Sequence, residues 1–268
     1  MSREGRAISD NHNHILASPI ESMFESAMAK GAAAISITEH LSQFKEMRES
    51  IAFSSYHSEG RIFRDLKEYL TEFHKISDRS THTKLRRGLE VDYISKYQKQ
   101  IGEFVARERW DILLCSVHEL SDKKDIEESI PENLGIKSLR SEDKWREYMA
   151  VQKEAIESDF IPFDVLAHPV RLFAGAKSFP SDLIDEMLVD LARTARRNNK
   201  ALELNATDLS RNKELVLRLA TACAIADCEV SFGSDAHHPS EVLKNVDLAL
   251  GLVDKFHLRV KKLESKHW

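Results

Sequence analysis

A chain of 268 residues, 42% hydrophobic and 31% charged, has the make-up of a globular protein able to bury a sizeable core, which excludes a disordered chain. Its net charge of −5 offers no general attraction for a nucleic-acid backbone, so duplex nucleic acid is not an expected partner. No apolar run reaches the ~18 residues of a membrane span, and Met1–Arg6 is polar and charged, so neither a signal peptide nor a span is expected and a cytoplasmic location is.

Short apolar runs alternate with longer amphipathic ones, the pattern of parallel strands joined by crossover helices. In chain order the spacing predicts strand Arg6–Asn11, helix Glu21–Lys30, strand Ala33–Thr38, helix Ile62–Ser77, strand Lys84–Val91 and helix Ser95–Arg107. It continues with strand Ile112–Ser116, helix Glu142–Ser158, strand Phe163–Ala167, helix Ser181–Asn198, strand Ala201–Asn205, helix Arg211–Ala226, strand Glu229–Gly233 and helix Ser240–Lys255. Several strands are rich in Ile, Leu and Val, as strands buried on both faces should be. Ser181-Asp182 and Ser240-Glu241 place capping and acidic side chains at helix starts.

Seven such units make an α/β barrel, and without linker-like stretches or internal repeats residues 1–268 are expected to form a single domain. Two polar stretches, 41–60 and 120–141, interrupt the rhythm and are expected as loops over the active-site face, where barrels encode specificity. Cys115, Cys223 and Cys228 sit in apolar surroundings without a CxxC spacing and are expected as buried free thiols.

Six of the twelve histidines fall at or just past predicted strand ends: His12 and His14, His40, His118, His168 and His237. Glu90 and Asp235 join them from the third and seventh strands. Side chains at the C-terminal ends of barrel strands converge on one mouth. Alternate residues of an extended chain project the same way, so His12 and His14 aim at one point. His57, His74, His82, His257 and His267 scatter elsewhere and are read as structural.

So many imidazoles with two carboxylates in one mouth call for cations. The donor set without a thiolate suits Zn, Mn or Fe, and eight donors exceed the ~4–6 ligands of one ion. Two or more ions are therefore expected, with Glu90 bridging them. Such a pair holds a bridging hydroxide as nucleophile and neutralises the attacking and leaving oxygens of a phosphoester displacement. Asp10 is cast as a carboxylate orienting an imidazole. Asp235 and Glu39 are candidates for proton transfer, ligation explaining Asp235 equally well and orientation of a histidine explaining Glu39. Arg171 is a candidate phosphate clamp, with pairing to a helix carboxylate as the other reading. Asn205 is a candidate for orienting substrate or a ligand, and Glu203 for an internal pair.

In this order, Asp10-Asn11-His12-Asn13-His14, Thr38-Glu39-His40, the Gly88 to Tyr93 segment, Ser116-Val117-His118, Ala167-His168 and the Gly233 to Val242 segment resemble the polymerase and histidinol phosphatase (PHP) family. The resemblance spans nearly the whole chain and is nearest the stand-alone histidinol-phosphatase branch. It implies a distorted, TIM-like (β/α)7 barrel with its active site at the C-terminal strand ends, a trinuclear metal site and hydrolysis of a small phosphorylated metabolite.

By position the resemblance assigns His12, His14, Glu90 and Asp235 to a first ion, Glu90, His118 and His168 to a second, and His40 and His237 to a third. A further third-ion ligand would follow within about six residues of His14, yet that stretch runs Ile15-Leu16-Ala17-Ser18-Pro19-Ile20. Glu21 or Glu39 is a possible substitute, and two ions remain as open as three. A phosphodiesterase or nucleotide phosphatase of the same family, or a non-catalytic metal-binding module, are the alternatives.

Overall fold

All seven predicted strands form, and they pair in parallel in strict chain order: β1 (Ser9–Asp10), β2 (Ala34–His40), β3 (Lys84–Asp92), β4 (Ile112–Ser116), β5 (Val165–Leu166), β6 (Ala201–Asn205) and β7 (Val230–Gly233). The computed structural model of the chain describes residues 7–51, 53, 62–77, 82–118, 120, 139–171 and 181–263. The sheet curls back on itself, because Asn11 N–H donates to the Phe232 carbonyl at 3.0 Å and His14 N–H to Ala236 at 2.8 Å. This is the TIM-like (β/α)7 barrel. Closure removes the free edges that an open sheet would expose.

Apart from the first half of β3, the strands are largely buried, and their two faces serve different layers. Ile112 and Leu114 of β4 pack with Val165, Ala167 and Ala201, whereas Leu113 and Cys115 join the core formed with the helices. Leu263 packs on the first of these groups, carried there by a tail whose Lys261 N–H donates to the Val230 carbonyl.

Around the sheet run α1 (Ile20–Ala29), α2 (Lys45–Ser50), α3 (Leu66–Ser77), α4 (Gln98–Val105), α5 (Leu139–Glu157), α6 (Ser181–Arg197), α7 (Ala206–Arg211), α8 (Lys213–Ala226) and α9 (Val246–Phe256). Two of them depart from expectation. The stretch after His40, read as a loop, begins with a 3-10 turn and α2, because Phe44, Met47 and Ile51 recur at helical spacing and are buried. Between β6 and α8 lies α7, capped by Asn205, whose side-chain oxygen accepts from Thr207 N–H at 2.8 Å and Asp208 N–H at 3.2 Å.

The last helix starts at Val246 rather than Ser240. Residues 239–241 form a 3-10 turn, and Leu243 and Asn245 then take positive φ of 58° each. Lys30 holds this turn by donating to the carbonyls of Pro239, Ser240 and Val242. The expected loop 120–141 falls almost wholly outside the described residues. The three cysteines are free and buried. Among the described residues, no helix is long and apolar enough to cross a membrane.

Candidate metal centre

The C-terminal strand ends bring all eight sequence-predicted donors together around Glu90. His40 ends β2 and stands opposite Glu90 of β3 in the ladder. His118 and His168 each lie two residues beyond β4 and β5, and Asp235 and His237 follow β7. One Glu90 oxygen, Oε1, is 2.8 Å from His168 Nε2 and 3.4 Å from His118 Nε2. The other, Oε2, is 2.8 Å from His40 Nδ1, 3.3 Å from His12 Nε2 and 3.5 Å from His14 Nε2. Asp235 Oδ1 lies 3.3 Å from His14 Nε2 and 3.7 Å from His12 Nε2. His74, His82 and His257 are exposed and belong to none of the compact donor groups found among the described residues.

Carboxylates behind the imidazoles fix their tautomers. His12 Nδ1 faces Glu203 Oε1 at 2.8 Å, His14 Nδ1 faces Glu39 Oε1 at 3.4 Å, and His118 Nδ1 faces Asp92 Oδ1 at 2.6 Å. Glu39 is fully engaged, its Oε2 accepting from Ile15 N–H and its Oε1 also from His40 N–H. Asp10 does not orient an imidazole. Its Oδ1 accepts from Ser234 N–H and its Oδ2 from Leu243 N–H, both at 2.8 Å, so it ties the segment after β7 to β1.

With Nδ1 donating to a carboxylate, each of these rings presents a bare lone pair at Nε2. His12 Nε2 and His14 Nε2 face each other across 3.0 Å, where one cation can take both nitrogens as ligands. His118 Nε2 and His168 Nε2 meet at 3.3 Å, and Glu90 Oε2 makes no well-directed hydrogen bond among the described residues. This set of imidazole nitrogens and carboxylate oxygens fits a divalent cation of the Zn, Mn or Fe type.

The charges point the same way. Burial opposes the charge of Glu90, but His40, His12 and His118 hold it well below the usual carboxylate range. Asp235 is held down in the same way by His12, Arg171 and His14. Burial, helped by His14 and His40, pushes His237 down to about 4, and burial dominates the fall of His118, leaving both rings neutral as ligands must be. His12, by contrast, is held well above its usual value, because Glu203, Glu90 and Asp235 outweigh its burial, so a cation binding there displaces its proton.

Arg171 Nε pairs with Asp208 Oδ1 at 2.5 Å, and its Nη2 with Asn205 Oδ1 at 3.0 Å and Asp235 Oδ2 at 2.7 Å. The sequence reading allowed a helix-carboxylate pair for Arg171, and Asp208 of α7 is that partner, though in a buried setting. Two donors sit in unfavourable left-handed backbone, His168 at φ 31° and Asp235 at φ 57°. His168 Nδ1 has no hydrogen-bond partner among the described residues. Its ring is instead set through the backbone: His168 N–H donates to Glu203 Oε2 at 2.7 Å, and Tyr148 Oη donates to its carbonyl at 3.2 Å.

Sequence reasoning missed the orienting roles of Glu203 and Asp92. Each lies two residues from a residue it did single out, Asn205 and Glu90, on the same face of its strand.

Three donor groups are compact enough to grip an ion: His12, His14 and Asp235; His40, Glu90 and His118; and His14, His40 and His237. Ile20, at the position where a further ligand was expected, is buried in the core at the start of α1, and Glu21 beside it is exposed and outside all three groups.

The chain resembles, over 97% of its length and 97% of theirs, a solved histidinol phosphate phosphatase from Lactococcus lactis subsp. lactis Il1403 complexed with zinc, L-histidinol and phosphate, at 19% identity and a TM-score of 0.76. A Listeria monocytogenes protein assigned as a histidinol phosphatase matches at 17% identity and a TM-score of 0.72, over 90% of this chain and 99% of that one. A chain of archaeal ribonuclease P solved with mature tRNA matches at 14% identity and 0.50, over 92% and 81%, a reminder that one fold carries different functions. None of the curated proteins compared matches the sequence. The PHP domain matches residues 10–207, which hold six of the seven strands and six of the eight donors. The chain belongs to the PHP domain family.

Proposed function

We propose that this protein is a metal-dependent phosphomonoester hydrolase of the histidinol-phosphatase type, working in the cytoplasm as one barrel domain on a small phosphorylated metabolite. The observation that carries the reading is the two pairs of opposed imidazole nitrogens, His12 with His14 and His118 with His168, gathered around the two oxygens of one buried glutamate. The likeness to a phosphatase solved with zinc, L-histidinol and phosphate supports histidinol phosphate as the substrate.

Two or three divalent ions held by these eight side chains would polarise phosphoryl oxygens and acidify water for attack on phosphorus. The chain's own residues do the rest. Glu90 joins the two halves of the cluster, one oxygen to each. Glu39, enclosed by two backbone N–H groups and His14, orients that ring. Asp235, held ionised between Arg171 and the histidines, serves as a ligand, which leaves neither carboxylate as the proton donor to the leaving group. Arg171 and Asn205 brace Asp235, and the Arg171 guanidinium would supply positive charge on the side of the centre that receives the phosphate.

The test is metal analysis of the purified protein together with phosphate release from L-histidinol phosphate, mononucleotides and an aryl phosphate, with Glu90→Ala as the control. Two or three ions per chain, preference for histidinol phosphate and loss of nearly all turnover in Glu90→Ala are expected. Turnover of nucleotides alone would move the protein to the nucleotide-phosphatase reading. A metal-free, inactive preparation that cannot be reconstituted would sink the proposal.

A further inference from the structure

Glu203 is 2% exposed and lies at mid-strand in β6, facing the barrel interior, with no place in any of the three ligand groups. Its two oxygens go to two different metal ligands. Oε1 is 2.8 Å from His12 Nδ1, and Oε2 accepts the His168 N–H at 2.7 Å. His12 and His168 sit on opposite sides of Glu90, against Oε2 and Oε1 respectively.

The surroundings allow Glu203 no other arrangement. Asn205 Nδ2 donates to Glu203 Oε2 at 3.1 Å, and that amide cannot flip, because its Oδ1 already accepts from Thr207 N–H, Asp208 N–H and Arg171. On the other side, Gly233 leaves room for the carboxylate. A Cβ there would meet Glu203 Oε1 at 2.0 Å and His12 Cβ at 2.4 Å. The backbone of His168 is held in a strained conformation with φ 31°, and its N–H is fixed by this same carboxylate.

Resting on the metal-centre reading, we infer that Glu203 is the positioning residue that ties the two halves of the centre together: it sets the tautomer of His12 through one oxygen and the backbone of His168 through the other. Buried donors that lose their acceptor rearrange or are left unsatisfied. A glutamine at this position has one oxygen for three donors. That oxygen turns to the side where it satisfies two, the His168 N–H and Asn205, and the amide NH2 then faces His12 Nδ1. His12 must answer with an acceptor at Nδ1 and a proton on Nε2, and a protonated Nε2 cannot ligate. The change of one atom therefore strikes the ion of His12 and spares the half containing His118 and His168.

The experiment is metal titration of the metal-free protein with Zn and with Co, the latter followed by its visible absorption, for the wild type, Glu203→Gln, His12→Ala, His118→Ala and the two double variants. We expect Glu203→Gln to weaken one ion by about 10–100-fold, the range for residues orienting metal ligands, while the remaining affinity stays within about twofold of wild type. Combined with His12→Ala it should add nothing, and combined with His118→Ala it should add its full effect. Wild-type affinity for every ion in Glu203→Gln, or full additivity with His12→Ala, would overturn the assignment. Should the amide variant unfold, Glu203→Asp replaces it: the shorter carboxylate keeps the charge but cannot span both partners, and an undiminished ion count in it would equally overturn the inference. A wild-type protein that binds no metal refutes the proposed function instead, so the two failures are distinct.

Discussion

Replacing Asp10 with asparagine should destabilise the fold without emptying the metal centre. Asp10 is fully buried and presents one oxygen to Ser234 N–H and the other to Leu243 N–H, each at 2.8 Å. Asparagine has one carbonyl oxygen for these two sites, so one backbone N–H is set against an amide N–H. Losing a hydrogen bond to a charged acceptor and leaving its donor buried costs about 2–3 kcal/mol. In a protein of this size each kcal/mol moves Tm by roughly 2–4 °C, so a fall of about 4–12 °C is expected. Thermal unfolding followed by circular dichroism, with metal content measured on the same sample, is the assay. An unchanged Tm with a lost ion would refute the structural role and return Asp10 to the orienting role its position two residues before His12 suggested.

Three further outcomes follow from the same structure. Leu263→Ala removes a half-buried side chain from the floor of the barrel and should lower stability by about 1–2 kcal/mol, short of the ~2–5 for a fully buried leucine, with the ion count intact; thermal scans in which Tm does not move would contradict the packing role of the tail. Gly233→Ala drives a methyl into Glu203 and His12, so both Tm and metal affinity should drop, and an alanine variant matching wild type in both would show that Glu203 is not confined as described. In the metal-free protein burial would depress His14, but hydrogen bonds to Asp235 and Glu39 raise it to about 9. A raised histidine contributes stability that is complete below about pH 6.5 and lost as pH climbs through about 9, here up to about 3 kcal/mol. Chelator-treated protein should therefore lose Tm from pH 6.5 to 9, and a flat or rising profile would count against the His14 environment.

The strands and the metal ligands were legible because both obey short-range rules. Parallel strands buried on both faces read as apolar runs, and ligands in a barrel follow directly on those runs, as His118 and His168 do. What was missed also has a physical cause. The polarity of Lys45, Glu46, Arg48 and Glu49 masked the helical spacing of Phe44, Met47 and Ile51, which alone decides whether that segment docks. Asp10, expected to orient an imidazole, is instead committed to the backbone N–H groups of Ser234 and Leu243, which the residues around it in sequence do not reveal. Asn11 and His12 are adjacent, yet Asn11 reaches Ser231 and Arg86 while His12 reaches Glu203 and Glu90, all within the barrel, so the alternation breaks where pairing with β2 stops. Glu203 could not be placed from sequence, because its meaning depends on which side chains two other strands bring to it.

The layering of the centre explains how so many conflicting charges are held in place before any ion arrives. Five imidazole nitrogens crowd Glu90 and Asp235 in a buried volume, and His168 and Asp235 are in left-handed backbone that disfavours both residues. None of that is stable on its own. The groups that stabilise it lie one layer out: Glu39 behind His14, Asp92 behind His118, Glu203 behind His12 and the His168 backbone, and Arg171, itself paired with Asp208, donating to Asp235. These carboxylates hold the Nε2 atoms of His12, His14 and His118 pointing inward, where a bound cation takes the place of protons. Binding thus fills a site that the fold itself arranges, so the free energy of metal binding adds to folding stability. A surface histidine cluster, free to turn its rings outward, would gain far less from the same ion.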